Sequence, residues 1–300
     1  MNGVVNLLKV SGPTSHDVVQ QMRRLSGQRR IGHAGTLDPG ACGVLVLGIG
    51  KATRVLEYLL DQKKTYIAEL VLGTSTTTMD AYGEVVEKRS GFVTREDLEA
   101  VLDGFRGKIK QVPPMASAIK INGQKLYELM RKGQEVERKP RDVEVFSLKI
   151  LSAKDIIFSG DRVLLEAQVS KGTYIRSLCN DIGERLGLPA HMGFLLRSAS
   201  GCMKVEDALL FREIEEKIKT GEEFLIPPDK VLDFPEVIAN PNKSKALASG
   251  QILWENDVLE MNNLQDEQLV KIYTFDKEFA GIYRYSAKEP RFKPEKVFLG

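Results

Sequence analysis

Residues 32–50 read GHAGTLDPGACGVLVLGIG, and this string limits the fold more tightly than any other part of the chain. Its glycines permit turns that a β-carbon would obstruct, and Asp38 stands directly before a proline. The apolar run Val44 to Leu47 follows at once and reads as a buried strand. Such a layout holds a single carboxylate at a rigid turn beside the interior.

Two phosphate-binding patterns nearly fit this string, and both fail. A P-loop needs lysine after its last glycine, but Ile49 follows Gly48. A dinucleotide fingerprint starting at Gly48 needs glycine or alanine at position 53, where Thr53 stands. An Asp-Pro pair in a glycine-rich stretch is ordinarily only a turn, so Asp38 gains meaning from its context.

At 300 residues, the chain exceeds one typical core and suits two domains. An apolar fraction of 42% with 28% charged residues is that of a globular protein. The longest apolar runs fall far short of the roughly 20 residues of a membrane span. The amino terminus carries no basic or apolar signal region, which sets a cytoplasmic expectation. Cys42, Cys179 and Cys202 form neither a disulfide framework nor a CxxC pair. His16, His33 and His191 are scattered, so no metal site is expected.

The first half mixes strands and helices without a regular βαβ beat. Gly3 to Val10 reads as a strand, and Thr14 or Ser15 as the cap of a helix whose face carries Val18, Val19, Met22 and Leu25. Thr65 to Leu72 alternates as a strand, with Tyr66, Ala68, Leu70 and Leu72 on one side. Thr74 to Ala81 is turn-like and contains Asp80. Thr94 caps a helix that Gly104 ends. Val163 to Val169 is another strand, and Tyr174 to Leu186 is helical. A charged helix is expected near Glu206 to Lys219. From Pro235 onward the pattern shifts to short strands at Gln251 to Leu253, Leu269 to Phe275 and Phe279 to Tyr285. The expected fold class is α+β, with a β-rich second domain.

The net charge of +2 says little, but its distribution says more. Between Arg106 and Arg141 stand ten Lys or Arg against Glu128, Glu135 and Glu137. A run of one sign is usually a solvated face. Here Pro113-Pro114, Met115 and Tyr127 interrupt it with flat or apolar groups, a mixture that suits phosphates and bases.

The loop has the form GH-x-G-x-LDP-xx-x-G, with His33, Gly35, Leu37, Asp38, Pro39 and Gly43 in place. It resembles the signature of the bacterial tRNA pseudouridine-55 synthases, the TruB family. Four further segments agree in order. Lys9 to Ser15 is similar to the family's K-P-x-G-x-T-S motif, departing from it in proline placement, and Lys64-Thr65-Tyr66 matches the strand motif. Pro113 to Arg141 resembles the RNA-gripping thumb. Gly172-Thr173-Tyr174-Ile175-Arg176, with Ala190-His191 and Leu195, matches the last catalytic motif. Together these cover most of residues 1–205.

The resemblance implies a largely antiparallel catalytic domain over 1–234, a thumb at about 106–145 and a PUA-like RNA-binding domain over 235–300. It implies that a uridine in the T loop of tRNA (position 55) is flipped out and isomerised to pseudouridine without cofactor or metal. Asp38 would be the catalytic carboxylate, Arg176 its partner and Tyr66 the stacking aromatic. His33 would fill the space left by extruded bases, and Asp80 would hold a neighbouring nucleotide. Tyr174 and Leu195 would line the RNA site. Lys63, Lys64, Lys120, Lys125, Arg131, Lys132 and Arg141 would grip RNA, with Arg23 and Arg24 holding phosphates. Asp38 could attack C1′, add to C6 or abstract the ribose 2′ proton, and these alternatives stay open. No membrane, obligate protein partner or assembly surface is expected, so a monomer is. Two alternatives are the catalytic subunit of an RNA-guided complex, against which the thumb argues, and a tRNA-binding or folding module.

Overall fold

The computed structural model describes every residue except Asn122, Asn262 and Gly300, together with the Glu260 side chain. The chain opens with β1 (Gly3–Lys9) and α1 (Ser15–Ser26). Thr14, one of the two expected caps, closes that helix reciprocally with Asp17. β2 (Ile31–Ala34) and β3 (Cys42–Ile49) flank the glycine-rich loop, and α2 (Leu56–Asp61) leads into β4 (Lys64–Leu72). A small hairpin, β5 (Thr74–Thr76) and β6 (Val85–Lys88), precedes β7 (Phe92–Thr94), α3 (Arg95–Asp103) and β8 (Gly107–Gln111). Next come β9 (Lys120–Ile121), β10 (Gln124–Lys125) and α4 (Leu126–Arg131). β11 (Arg141–Ser152), β12 (Ile156–Phe158), β13 (Arg162–Val169), α5 (Ile175–Arg185), β14 (Ala190–Ser200), β15 (Met203–Lys204) and α6 (Phe211–Thr220) complete this part.

The main sheet has nine strands in the order β1-β3-β14-β4-β13-β11-β8, with β2 on β3 and β15 on β14. Its pairings are antiparallel except between β14 and β3, which matches the expected mixed, largely antiparallel α+β class. Both faces of β1 and β3 are covered. Val5, Leu7, Leu45 and Leu47 pack with Val18, Val19 and Met22 of α1 and Ile214 of α6. Val4, Val44 and Val46 face Leu56 and Leu59 of α2 on the other side. Double burial is why these strands read as continuous apolar runs. The rest of the sheet packs Leu70, Leu72 and Leu165 against Leu98 and Leu102 of α3 and Leu178 and Ile182 of α5.

Residues 112–140 leave the sheet between β8 and β11 and carry the β9–β10 hairpin and α4. Beyond residue 234 a second sheet forms from β16 (Glu236–Ala239), β17 (Leu253–Trp254), β18 (Val258–Glu260), β19 (Leu269–Tyr273), β20 (Phe279–Ser286) and β21 (Arg291–Val297). Their order is β17-β21-β20-β19-β16-β18, and α7 (Ser244–Ala248) packs beside them. Ile282 of β20 joins the cluster under α2, and the Tyr58 and Phe234 rings meet edge-on at 5.5 Å. A Lys296–Glu57 ion pair at 2.8 Å adds to this seam.

Several elements depart from the sequence expectation. The long strands β11 and β14 were not anticipated. Both carry register shifts, at 145–147 and 150–152 in β11 and at 192–194 and 197–199 in β14. Each bulge flips the side-chain alternation by one residue and erases the period-two pattern. The charged helix is shorter than its charges suggest: Ala208 precedes an extended Leu210, and α6 starts at Phe211. β21 was also missed, because Pro294 and its charges mask the pattern.

Candidate active site

The loop between β2 and β3 is fastened from three sides. Lys9, at the end of β1, is buried and donates its Nζ to the carbonyls of Val10, Pro39 and Ala41, the last at 2.7 Å. Ser15, the first residue of α1, accepts from the Leu37 amide at 2.9 Å and donates to its carbonyl at 3.1 Å. Arg197 of β14, only 1% exposed, donates Nε to the Val44 carbonyl at 2.7 Å and Nη2 to the Gly35 carbonyl at 3.0 Å. Leu37 and Ala41, on either side of Asp38, are sunk into the core. Gly43 has φ +112°, and a β-carbon there would lie 2.2 Å from the Arg197 carbonyl oxygen. Only glycine lets β14 approach β3 at this point.

This fastening presents Asp38 to Arg176. Arg176 Nε lies 2.9 Å from Asp38 Oδ2, and its side chain is 4% exposed against 39% for Asp38. The same guanidinium donates Nη1 to the Thr78 carbonyl at 3.2 Å and Nη2 to the Ala116 carbonyl at 2.8 Å. Its Nη1 also stands 3.7 Å from Asp80 Oδ2. Asp80 in turn accepts from Thr78 Oγ1 at 2.5 Å and from the Tyr82 amide at 3.0 Å. One arginine at the start of α5 thus links the loop, the β5–β6 hairpin and the base of the 112–140 excursion.

The crowding has an electrostatic consequence. Burial pushes the Asp38 carboxyl above its usual range; Arg176 pulls it back, Asp80 pushes it further up and Lys9 opposes both. The pairing with Arg176 was expected to favour the charged form, and it does, but burial outweighs it.

The other expected residues come from several elements. Tyr66 is half-buried on β4 and packs on the same cluster as Leu37 and Leu195, the latter itself buried. Tyr174 precedes α5, and buried Gln111 holds it through both backbone groups, at 2.8 Å to its amide and 3.0 Å to its carbonyl. Burial raises the Tyr174 phenol pKa. His33, half-buried on β2, has a buried Nδ1 without a hydrogen-bond partner among the described residues, and burial and then Arg197 lower its pKa. Lys120, Lys125, Arg131 and Lys132 lie on the excursion, with Lys125 and Arg131 both beside the Tyr127 ring. Arg141 is exposed at the start of β11, and Lys63 is exposed with its Nζ 3.9 Å from the Phe146 ring centre.

One expected phosphate ligand is corrected, and another has a backbone partner of its own. Lys64 is 5% exposed, and its Nζ donates to the carbonyls of Leu59, Leu60 and Gln62, capping the end of α2. Burial lowers its pKa to about 8. Arg23 turns back to donate to the Ile31 carbonyl at 3.0 Å. Sequence reasoning also missed Arg197 and Gln111 as supports. A buried arginine inside an unrecognised strand left no signal, and neither did a glutamine at a strand end. No cluster of metal-ligating side chains occurs among the described residues. No described helix is long and apolar enough to cross a membrane.

The model of the TruB family pseudouridylate synthase N-terminal domain matches residues 23–175, and that of the tRNA pseudouridylate synthase B C-terminal domain matches residues 176–232. The chain belongs to the TruB family. It is 41% identical to the tRNA pseudouridine synthase B of Clostridioides difficile (strain 630), with all of both chains covered. It is 43% identical to the enzyme of the same name from Pelotomaculum thermopropionicum, covering all of this chain and 95% of that one. Two solved structures share its fold over 99% of its length and 85% of theirs, each with a TM-score of 0.77. One is an H/ACA RNP bound to a substrate RNA containing 2′-deoxyuridine, at 27% identity. The other is a Cbf5-Nop10-Gar1 complex, at 29% identity. Both family matches end before β16, so the second sheet lies beyond them.

Proposed function

We propose that this protein isomerises a uridine in the T loop of tRNA, position 55, to pseudouridine, with Asp38 as the catalytic carboxylate. The observation that carries this reading is the Asp38–Arg176 pair, set in a fastened loop in a member of the TruB family. The reaction breaks the bond between C1′ and N1, turns the base and joins C1′ to C5. The C5 hydrogen leaves as a proton and N1 gains one, so the step is redox-neutral and needs no group donor.

Each side chain has a part in this reading. Arg176 fixes the direction of the Asp38 carboxylate and opposes its protonation. Extruding a base costs a few kcal/mol, and an aromatic face returns about 1–3 kcal/mol. Tyr66 supplies that face beside the loop, with Tyr174 and Leu195 lining the same site. The neutral ring of His33 takes the space that extruded bases leave. Asp80 holds a neighbouring nucleotide. Lys63, Lys120, Lys125, Arg131, Lys132 and Arg141 meet the phosphates. Residues 1–234 are the catalytic domain, and the second sheet serves as a PUA-like RNA-binding domain. The protein acts in the cytoplasm as a monomer without an obligate protein partner. The likeness to Cbf5 concerns a protein solved in complex, but the bacterial tRNA pseudouridine synthases are more similar to this chain, at 41–43% identity against 27–29%.

The test is release of tritium from T-arm RNA labelled at uridine C5, with purified protein and no added cofactor. Release stoichiometric with one uridine is expected. RNA binding without release would leave a tRNA-binding module instead.

A further inference from the structure

Tyr82 lies at the tip of the β5–β6 hairpin, two residues beyond Asp80, and is 72% exposed. Single exposed aromatics are common on protein surfaces and need no explanation by themselves. The position of this one is unusual. A β-carbon at Gly40 would lie 2.1 Å from Tyr82 Cε2 and 2.8 Å from its hydroxyl oxygen, so the ring rests directly on the Gly40 backbone. Gly40 is two residues after Asp38. The ring therefore sits on the rim of the loop that carries the carboxylate.

The ring also projects from a fixed backbone. Its amide donates to Asp80 Oδ1 at 3.0 Å, Asp80 faces Arg176, and the Ala81 amide donates to the Met192 carbonyl of β14 at 3.0 Å. A side chain held this way loses little freedom when a ligand covers it. The neighbouring charges narrow what that ligand can be. Asp38 and Asp80 are matched by Arg176 and by Lys9, whose ammonium is spent on the Pro39 and Ala41 carbonyls, so the rim has no surplus positive charge to hold a phosphate. A neutral, flat nucleobase needs none, and the open ring offers it a π-face.

We propose that Tyr82 is a stacking platform for an unpaired base next to the target uridine, which makes it a binding and specificity residue outside the expected set. The assignment rests on the proposed RNA-isomerising function. Stacking on one aromatic face is worth about 1–3 kcal/mol, or roughly 5- to 150-fold in affinity.

The test compares Tyr82→Phe, Tyr82→Leu and Tyr82→Ala, with tritium release from T-arm RNA and with binding of RNAs carrying 2-aminopurine at each unpaired loop position in turn. Leucine still covers Gly40 but has no π-face. The expected result is near-native KM for the Phe variant and a rise of about 5-fold or more for Leu and Ala, falling on KM rather than kcat. At one position the 2-aminopurine fluorescence should be quenched by the native protein and by the Phe variant but not by Leu. If Leu matches Phe in both readouts, Tyr82 merely packs on the loop and the proposal is overturned. Native release of tritium with unchanged KM in all three variants overturns the Tyr82 assignment alone. Absence of release from the native protein overturns the function on which it rests.

Discussion

Arg176 Nε lies 2.9 Å from Asp38 Oδ2, and the two residues come from opposite ends of the main sheet's connectivity, 138 positions apart. The remaining guanidinium nitrogens are spent on Thr78 and Ala116. A single buried cation therefore orients the carboxylate and also ties down the two segments that border it.

Arg176→Lys keeps the charge but reaches at most one of these partners, because a lysine ammonium lacks the planar fork. We expect turnover to fall by roughly 100-fold or more, the cost of misplacing a reacting group by about an ångström. Stability should fall by about 1–3 kcal/mol, less than for a fully buried pair because Asp38 is partly open to solvent. Urea unfolding and single-turnover tritium release measure the two effects, and native-like values in both would deny Arg176 its linking role.

With Asp38 as the proposed catalytic carboxylate, its raised pKa should set the acid limb of the pH–rate profile. If chemistry needs the ionised carboxylate, the rate falls as pH drops through a value above the usual carboxylate pKa of about 3.9. Taking away Arg176 removes an influence that lowers this pKa, so the limb in the Lys variant moves further up as the pairing weakens. For stability the sign is opposite to that of a salt-bridged acid. The folded state holds the Asp38 proton more tightly than the unfolded state, so Asp38's contribution declines as pH rises between the two pKa values. A profile flat down to about pH 3.9 would contradict this assignment.

Lys64 and the lysines of the excursion should separate cleanly. Lys64→Met removes a charged cap on α2 and should cost about 1–3 kcal/mol, with the salt slope of RNA binding unchanged. Because its folded pKa is lowered to about 8 from 10.5, the native protein gains stability as pH rises between those values, and the Met variant should lose that gain. Lys120→Gln or Lys132→Gln should instead leave stability intact and reduce the log-log salt slope by about 0.7–0.9 for each phosphate no longer neutralised. A reduced slope in Lys64→Met would restore its expected role as a phosphate ligand.

How much was legible follows from what leaves a trace in residue order. The Asp38 loop was readable because its turns need glycines at fixed places and because the adjoining strand is buried on both faces. The α1 and α3 caps were readable because Thr14 and Thr94 bond locally to acids three residues on. Lys64 misled because a lysine beside another lysine reads as surface, whereas its carbonyl partners belong to the end of the preceding helix. Arg197 was invisible because bulges broke the pattern of its strand, and its partners lie more than 150 residues away. Tyr82 left no signal in the sequence, because only the placement of its ring on Gly40 marks it.

In the proposed function Asp38 carries the chemistry and does not merely shape the loop. Asp38→Asn preserves size and still accepts a hydrogen bond from Arg176, but it cannot act as a carboxylate. The decisive measurement is tritium release by this variant beside its affinity for the same T-arm RNA. Affinity within a few-fold of native and turnover reduced by several orders of magnitude are expected. Substantial turnover at native affinity would contradict the catalytic role of Asp38.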